Sequence, residues 1–394
     1  MMEMLVSAPF TGYVYPNETI IPWTLLIAIY PYLTGLVAGA FTVSSMHHAF
    51  GMERFKPVAR FALLISLSCM IFVPLPLILH LGHPERAMNA MITPHLSSAF
   101  AMFGFFAAFY VVLLMLECWF VFRADNVARA KSSTGLLREF YRAVTLWSDD
   151  VSVKAREYDR KWLLALAIIG IPGAHGLHGY VGFVYGSLKS REWWGSDLMP
   201  VVFIFSAIIS GMALCIVLYV FAAKIRRIKI DFACLKGMAY TLWGFMMFTL
   251  LLEALEFANL VYKGREGIEL VMEYVRGPLF VRMFVVQFGL GALLPIGIIS
   301  AMIARDTRGK QFVVGLTISS LLVLMSVFMM RWNVVIGGQE ISKTMKGLLT
   351  YIPPLLGRQG ILAGTAVMIA PFLLLWVLTR LFPPWRDMSS EESK

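Results

Sequence analysis

Two carboxylates, Glu253 and Glu256, stand three residues apart in LLEALEF, inside an otherwise apolar run. Two imidazoles, His175 and His178, have the same spacing in PGAHGLHGY. Residues three apart share one helix face, so each pair presents its groups together. A third group occupies residues 77–89, LILHLGHPERAMN, where an apolar run stops at His80 and is followed by His83, Glu85 and Arg86. A fourth, Arg331, Trp332 and Asn333, closes another apolar run. Ionisable groups in apolar spans are costly, and each needs a reason. Acids and imidazoles at one depth suit proton exchange with a lipid-soluble substrate. A quinone fits: its carbonyl oxygens need hydrogen-bond donors, and its quinol needs proton acceptors.

The elements that must position these groups are membrane helices. Of the 394 residues, 59% are hydrophobic and 15% charged, and mean hydropathy is +0.73. A soluble domain carries about 25% charged residues. Nine apolar runs, at roughly 20–46, 58–81, 98–122, 161–186, 198–223, 236–262, 279–304, 312–332 and 361–380, are each long enough to cross a ~30 Å hydrocarbon core. The fold class expected is therefore an all-α polytopic membrane protein. Residues 1–19 lack the basic start and apolar core of a cleavable signal, so the first span is expected to serve as the insertion signal.

The net charge of +10 is a topology signal. One side of the nine spans takes 23 of the 34 Lys and Arg residues. By the positive-inside rule that side is cytoplasmic, with the N-terminus outside and the C-terminus inside the inner membrane. No nucleic-acid partner is implied. In this topology the second, fourth, sixth and eighth spans all end outside. At 1.5 Å per residue, His178 and His175 lie roughly 12 and 16 Å below the outer end of their span, and Glu256 and Glu253 roughly 9 and 14 Å below theirs.

The spans divide into a first four-helix bundle (20–186) and a second (198–332), followed by an outer loop (333–360), a ninth helix (361–380) and a cytoplasmic tail (381–394) whose end, SSEESK, reads as disordered. Gly35 with Gly39, and Ala207 with Gly211, have the four-residue spacing of small residues that lets membrane helices approach closely. In the inner loop 123–160, GLLREFYRAVTLW places Leu136, Leu137, Phe140, Tyr141, Val144 and Trp147 on one stripe, an amphipathic helix for the membrane surface with anionic lipid as its neighbour. Gly337, Gly338, Pro353 and Pro354 argue for turns in the outer loop. Cys69, Cys118, Cys215 and Cys234 form no CxxC and read as packing residues.

Other readings compete. The 80–86 group can serve as an interfacial cap. Buried histidines can bond neighbouring helices. Glu117 reads as ion-paired or snorkelling, or as the start of an inward proton path. Paired histidines can ligate b-type haem, with His80 and His175 or His178 as the outer pair. A proton-coupled transporter would use the same acids, and Pro172–Gly173 marks a break of the kind transporters carry. Without haem or iron–sulfur ligands the chain offers no wire, so electrons exchanged at an outer quinone must leave through a partner protein.

LHLGHPERAMN, the stretch IPGAHGLHGYVGFVYGSLKSREWWGSDLMPVVFIFSAIISG, and RWNVVIGGQ together resemble the NrfD/PsrC family of membrane subunits across the first eight spans. The ninth span, between YIPPLL and LFPPW, resembles the longer members: DsrP, the menaquinol-oxidising Hme subunit and QrcD. The resemblance implies two four-helix bundles, no haem or iron–sulfur cluster in the chain, and a menaquinone or other quinone near the outer face. It implies docking to an extracytoplasmic ferredoxin-like subunit with four-iron clusters, within a larger redox complex of sulfur metabolism. By position, His80, Gly82, Pro84, Glu85 and Arg86 match the family motif between the second and third spans, and His178 matches the fourth-span histidine of the longer members. The family's polar residue in the first span has only Tyr30 and Tyr32 as counterparts here. The longer relatives have ten spans against nine here. The site expected is thus Glu253, Glu256, His178 and His175 for proton chemistry, with His80, His83, Glu85, Arg86, Arg331, Tyr30 and Tyr32 around the quinone and no metal.

Overall fold

A hydrocarbon layer offers no water to backbone N–H and C=O groups, so each apolar run must satisfy them internally, and helices result. A computed structural model describes residues 8–188, 190–264 and 267–385. The first seven residues and the end of the tail, 386–394, lie outside the described residues. Nine helices among the described residues are long and apolar enough to cross a membrane: α1 Leu25–His48, α2 Glu53–His80, α3 Ala99–Ser132, α4 Val153–Gly186, α5 Met199–Arg226, α6 Phe232–Lys263, α7 Val281–Ala304, α8 Gly309–Glu340 and α9 Ile361–Leu381. The chain is a polytopic membrane protein.

Within α1–α4, α1 packs on α2 and α4, and α3 packs on α4. Within α5–α8, α5 packs on α6 and α8, and α7 on α8. The two groups meet where α1 lies along α5, and α9 packs outside, on α2. The seam depends on small residues. A side chain on Gly39 would overlap the main chain of Ala207 and Gly211, and one on Gly211 would overlap that of Gly39 and Ala40. The spacing read from the sequence marks this contact.

Three boundaries differ from the sequence reading. First, α3 and α4 run well past the apolar stretches into the 123–160 loop, because hydropathy marks where lipid ends and not where a helix ends. Their polar stalks are tied together: Arg123 pairs with Asp159 at 2.7 Å, and Arg60 of α2 pairs with Asp125. Between them, the surface helix Gly135–Val144 leaves Leu136 exposed but buries Tyr141, whose hydroxyl donates to the Leu381 carbonyl at the end of α9 (2.9 Å). Second, α4 is continuous through Pro172, so the expected break is absent; Gly173 instead lets Tyr110 of α3 lie close. Third, α8 stays helical through Val335 and again over Gly337–Glu340. Gly337 and Gly338 are there for contact: a side chain on the first would press on Tyr274, and one on the second would overlap the Trp194 indole.

One end of the bundle is closed by a cap built from loops. Strand β1, Phe10–Tyr13, pairs antiparallel with β2, Lys346–Leu349. Gly12 takes a positive φ of 75° against the Lys346 carbonyl. Arg191 carries the cap. It pairs with Glu18 at 3.0 Å and donates to the carbonyls of Gly338, Gln339 and Ile341 at the end of α8, where a cation is favoured by the helix dipole. Burial lowers the Arg191 pKa, and Glu18 opposes that. Glu18 also accepts from the Lys343 N–H. Glu340 accepts from Tyr274 (2.5 Å) and Arg282 (2.6 Å); burial, then Glu340, pushes the Tyr274 hydroxyl well above its ordinary range. Breaking a buried ion pair by removing one partner costs about 3–5 kcal/mol. Arg191→Met is therefore expected to destabilise the protein by that order, read as a fall in the thermal unfolding midpoint in detergent.

Candidate functional site

Just below the cap, the second group of helices lines a pocket open to solvent, with about 790 Å³ of space between its walls and its mouth. Its walls are apolar, including Trp193, Met199, Phe257, Met283, Phe288 and Met330. Its polar groups are Glu253, Glu256 and Asn259 from α6, Gln287 from α7 and Asn333 from α8, with Glu192, Ser196 and Lys263 also among the lining residues.

The amides and one acid form a directed chain. The Asn333 side-chain N–H₂ donates to Gln287 Oε1 (2.9 Å), and the Gln287 N–H₂ donates to Glu253 Oε2 (2.9 Å). Glu253 therefore has one oxygen committed to an amide donor. Glu256, one turn on, lines the same pocket as Ser196. Gln287 owes its position to the winding of α7, which is a π-helix over Val281–Leu293. Such wide turns are rare and concentrate at functional sites. The Gln287 carbonyl accepts from Ser326 of α8 (2.9 Å), and Gly291 lets Ser326 in closely.

A second polar centre lies deeper, at the seam between the two groups of helices. Arg331 and His178 are both fully buried, at 0% exposure. Arg331 Nη2 donates to His178 Nε2 (2.9 Å) and to Ser206 Oγ (2.6 Å). Its guanidinium sits 3.8 Å above the Phe203 ring, a cation–π contact. No carboxylate lies within ion-pair distance of it among the described residues, and its Nε has no partner. These contacts assign the imidazole tautomer. A guanidinium only donates, so Nε2 is the acceptor and Nδ1 carries the proton toward Thr34 Oγ1 (3.1 Å). The Thr34 hydroxyl passes on to main-chain carbonyls of its own helix. Arg331 and Asn333, two residues apart on α8, join this centre to the pocket.

The structure brings Glu253 and Glu256 together at the pocket, and His178 and Arg331 together beside it. Arg331, read from the sequence as closing an apolar run, is wholly interior, because α8 continues beyond it into the cap. His175 is on the same side of α4 as His178 but bonds Thr42 Oγ1 (3.3 Å), and its Nδ1 has no partner. Tyr30 packs edge-on against Phe103, and Tyr32 donates to the Leu324 carbonyl (3.2 Å); neither lines the pocket. The 80–86 group stands apart. α2 ends at His80, whose Nδ1 is 3.4 Å from Thr24 Oγ1. The carbonyls of His80 and Leu81 are held by Gln359 and Arg358. That tether turns the following residues outward, so Arg86 is exposed and His83 pairs with Glu85 at 2.9 Å on the surface. The Glu85 main-chain N–H, then His83, holds its carboxyl below the usual range. On the opposite half of the bundle, Glu117 is fully buried 3.8 Å from His48, far from the pocket along α3.

Gln287, Ser206 and Thr34 were not singled out by sequence. The only signal available for Gln287 was an amide in an apolar run.

Comparison with known proteins places these features. The family model described as polysulphide reductase, NrfD, matches residues 15–342. A selenate reductase subunit from Mesobacillus selenatarsenatis is 29% identical over 387 residues, 94% of this chain and 89% of that protein. An Hdr-like menaquinol oxidoreductase integral membrane subunit from Archaeoglobus fulgidus is 24% identical over 227 residues, 58% of this chain and 49% of that protein. Protein NrfD of Escherichia coli is 26% identical over 203 residues, 50% of this chain and 58% of that protein.

Proposed function

From the premise that the chain belongs to the NrfD family of polysulphide reductase membrane subunits, we propose that it is the quinone-reactive membrane subunit of a multisubunit redox complex. In this reading it is haem-free, works on a menaquinone or other quinone, and exchanges electrons with an extracytoplasmic subunit carrying four-iron clusters. The cap faces outside and the lysine- and arginine-rich end faces the cytoplasm, as the charge distribution implies. The name of one relative, a menaquinol oxidoreductase integral membrane subunit, supports work on a quinone, and that of another, a selenate reductase subunit, supports a place in a reductase complex. The sulfur-metabolism role that the DsrP-like resemblance implies is tested by which soluble subunit accompanies the chain.

One observation carries the reading: an apolar-walled pocket into which a carboxylate, held by two amides in series, faces beside a second carboxylate. An aromatic ring fits the walls. Oxidation of a quinol to a quinone releases two protons and two electrons. Glu253 accepts a proton from the ring hydroxyl, and Gln287 fixes the carboxylate while it does so. Glu256 provides the second acceptor. The electrons leave to the partner, and the same residues return protons if the reaction runs toward quinol. Arg331, buried behind the pocket wall two residues from Asn333, adds positive charge that favours loss of the ring proton at longer range, and His178 with Thr34 holds Arg331 in place. His83, Glu85 and Arg86, exposed beside the cap, face the partner subunit.

Mild-detergent purification tests this reading. A four-iron cluster signal in electron paramagnetic resonance and quinone in the lipid extract are the expected outcome. A chain that comes out alone, without either, would favour a proton-coupled transporter.

A further inference from the structure

The end of the molecule opposite the cap carries a groove that quinone chemistry does not use. It is an open cleft of about 930 Å³ between α5 and α8, closed at its end by the linker before α6. Its walls are aliphatic, among them Val220, Ile230, Val314 and Ile318. Thr317, the one hydroxyl in it, turns inward to the Val313 carbonyl (2.7 Å). Lys224 and Lys310 complete the lining.

Charge decides what belongs there. Lys224 and Lys310 are exposed, and neither is in an ion pair with a described residue. The acids nearby are already committed: Asp306 to Arg308 and Lys236, and Asp231 to the main-chain N–H of Cys234 at the start of α6 (2.8 Å). Arg226, Arg227 and Lys229 lie in the same turn of chain and add positive charge. A greasy channel with two unclaimed ammonium groups at one end matches a molecule with acyl chains and a phosphate.

We propose that this groove is a specific site for an anionic phospholipid, with its phosphate between Lys224 and Lys310 and an acyl chain along the aliphatic wall of α5 and α8. Basic pockets between membrane helices on the cytoplasmic side suit anionic headgroups. A zwitterionic lipid would bring a second cation toward the lysines, and free phosphate would leave the aliphatic walls empty. The site is independent of the quinone reading.

The test is native mass spectrometry of the full-length protein, delipidated and then exposed to phosphatidylglycerol, phosphatidylcholine or inorganic phosphate. The wild type is expected to retain one phosphatidylglycerol in preference to phosphatidylcholine. Lys224→Gln with Lys310→Gln should weaken that retention roughly tenfold or more, while Lys131→Gln with Lys154→Gln, at other exposed lysines, should not. Both changes are on exposed side chains, so the double variant folds, and its unfolding midpoint checks this. Equal retention of the two lipids, unchanged retention in the double variant, or displacement of phosphatidylglycerol by millimolar phosphate would each overturn the proposal.

Discussion

Glu253→Gln is expected to slow quinol-dependent electron transfer by roughly 10²–10⁴-fold, the usual worth of a positioned general acid or base. The substitution keeps the shape of the side chain. The new amide still presents an oxygen to the Gln287 N–H₂, so the chain Asn333–Gln287–Glu253 keeps its geometry and the bundle assembles as before. What is lost is the capacity to take up a proton. Glu256→Gln should cost less, because Glu253 is the acid that the Gln287 amide holds in place. Gln287→Leu should fall between the two. It removes no titratable group, but it frees Glu253 to rotate and leaves the Asn333 amide without its acceptor. The measurement is turnover of a soluble quinol by the purified complex, with the unfolding midpoint as control. Wild-type rates in Glu253→Gln would place proton uptake elsewhere.

The scaffold was legible because a bilayer leaves few choices. Nine apolar runs gave nine helices, and the spacing Gly35–Gly39 against Ala207–Gly211 pointed to the α1–α5 seam. The polar ends were harder to read. Charged residues such as Arg123 and Asp159 do not stop a helix once a partner neutralises them, so α3 and α4 outrun their hydropathy. Gly337 and Gly338 looked like turn formers, and only the presence of Trp194 and Tyr274 shows that they serve close contact. At the site, the expensive residues Glu253, Glu256, His178 and Arg331 could be found from cost alone, since each is ionisable in an apolar run. Which of them meet could not. His178 and Arg331 are 153 positions apart, and their contact is set by the fit of α4, α5 and α8. Gln287 was invisible because a neutral amide raises no alarm, and the π winding that aims it leaves no periodicity to detect. The 80–86 group shows the same limit, since sequence gives its composition but not its place. Its composition is that of a site, yet Arg358 and Gln359, from the far end of the chain, hold its backbone so that His83 and Glu85 pair on the surface.

Arg331→Met separates a structural role from a functional one, and the magnitudes set the direction. A guanidinium inside a membrane protein with no carboxylate within ion-pair distance carries a desolvation cost of several kcal/mol, which Glu253 offsets only at longer range. Its compensation here is partial: one imidazole nitrogen, one hydroxyl, the Met330 sulfur and the Phe203 ring, with Nε left unpaired. Methionine has a similar length and would fill the space beside Phe203. The bonds lost are few, because Ser206 still donates to the Phe203 carbonyl (2.8 Å), and only His178 Nε2 is left unsatisfied, at about 1–3 kcal/mol. The balance favours the variant or leaves it even, so its unfolding midpoint should match or exceed the wild type. Its quinol-dependent turnover should fall by roughly tenfold or more, since a buried positive charge near the pocket acts through space and one pKa unit of charge interaction is worth a factor of ten. Arg331→Lys keeps the charge but cannot reach His178 and Ser206 together, and should recover only part of the rate. A variant at Arg331 that unfolds early yet turns over normally once folded would make this residue an anchor of the seam. A stable and inactive one would mean that the fold tolerates a partly compensated cation because the reaction needs it.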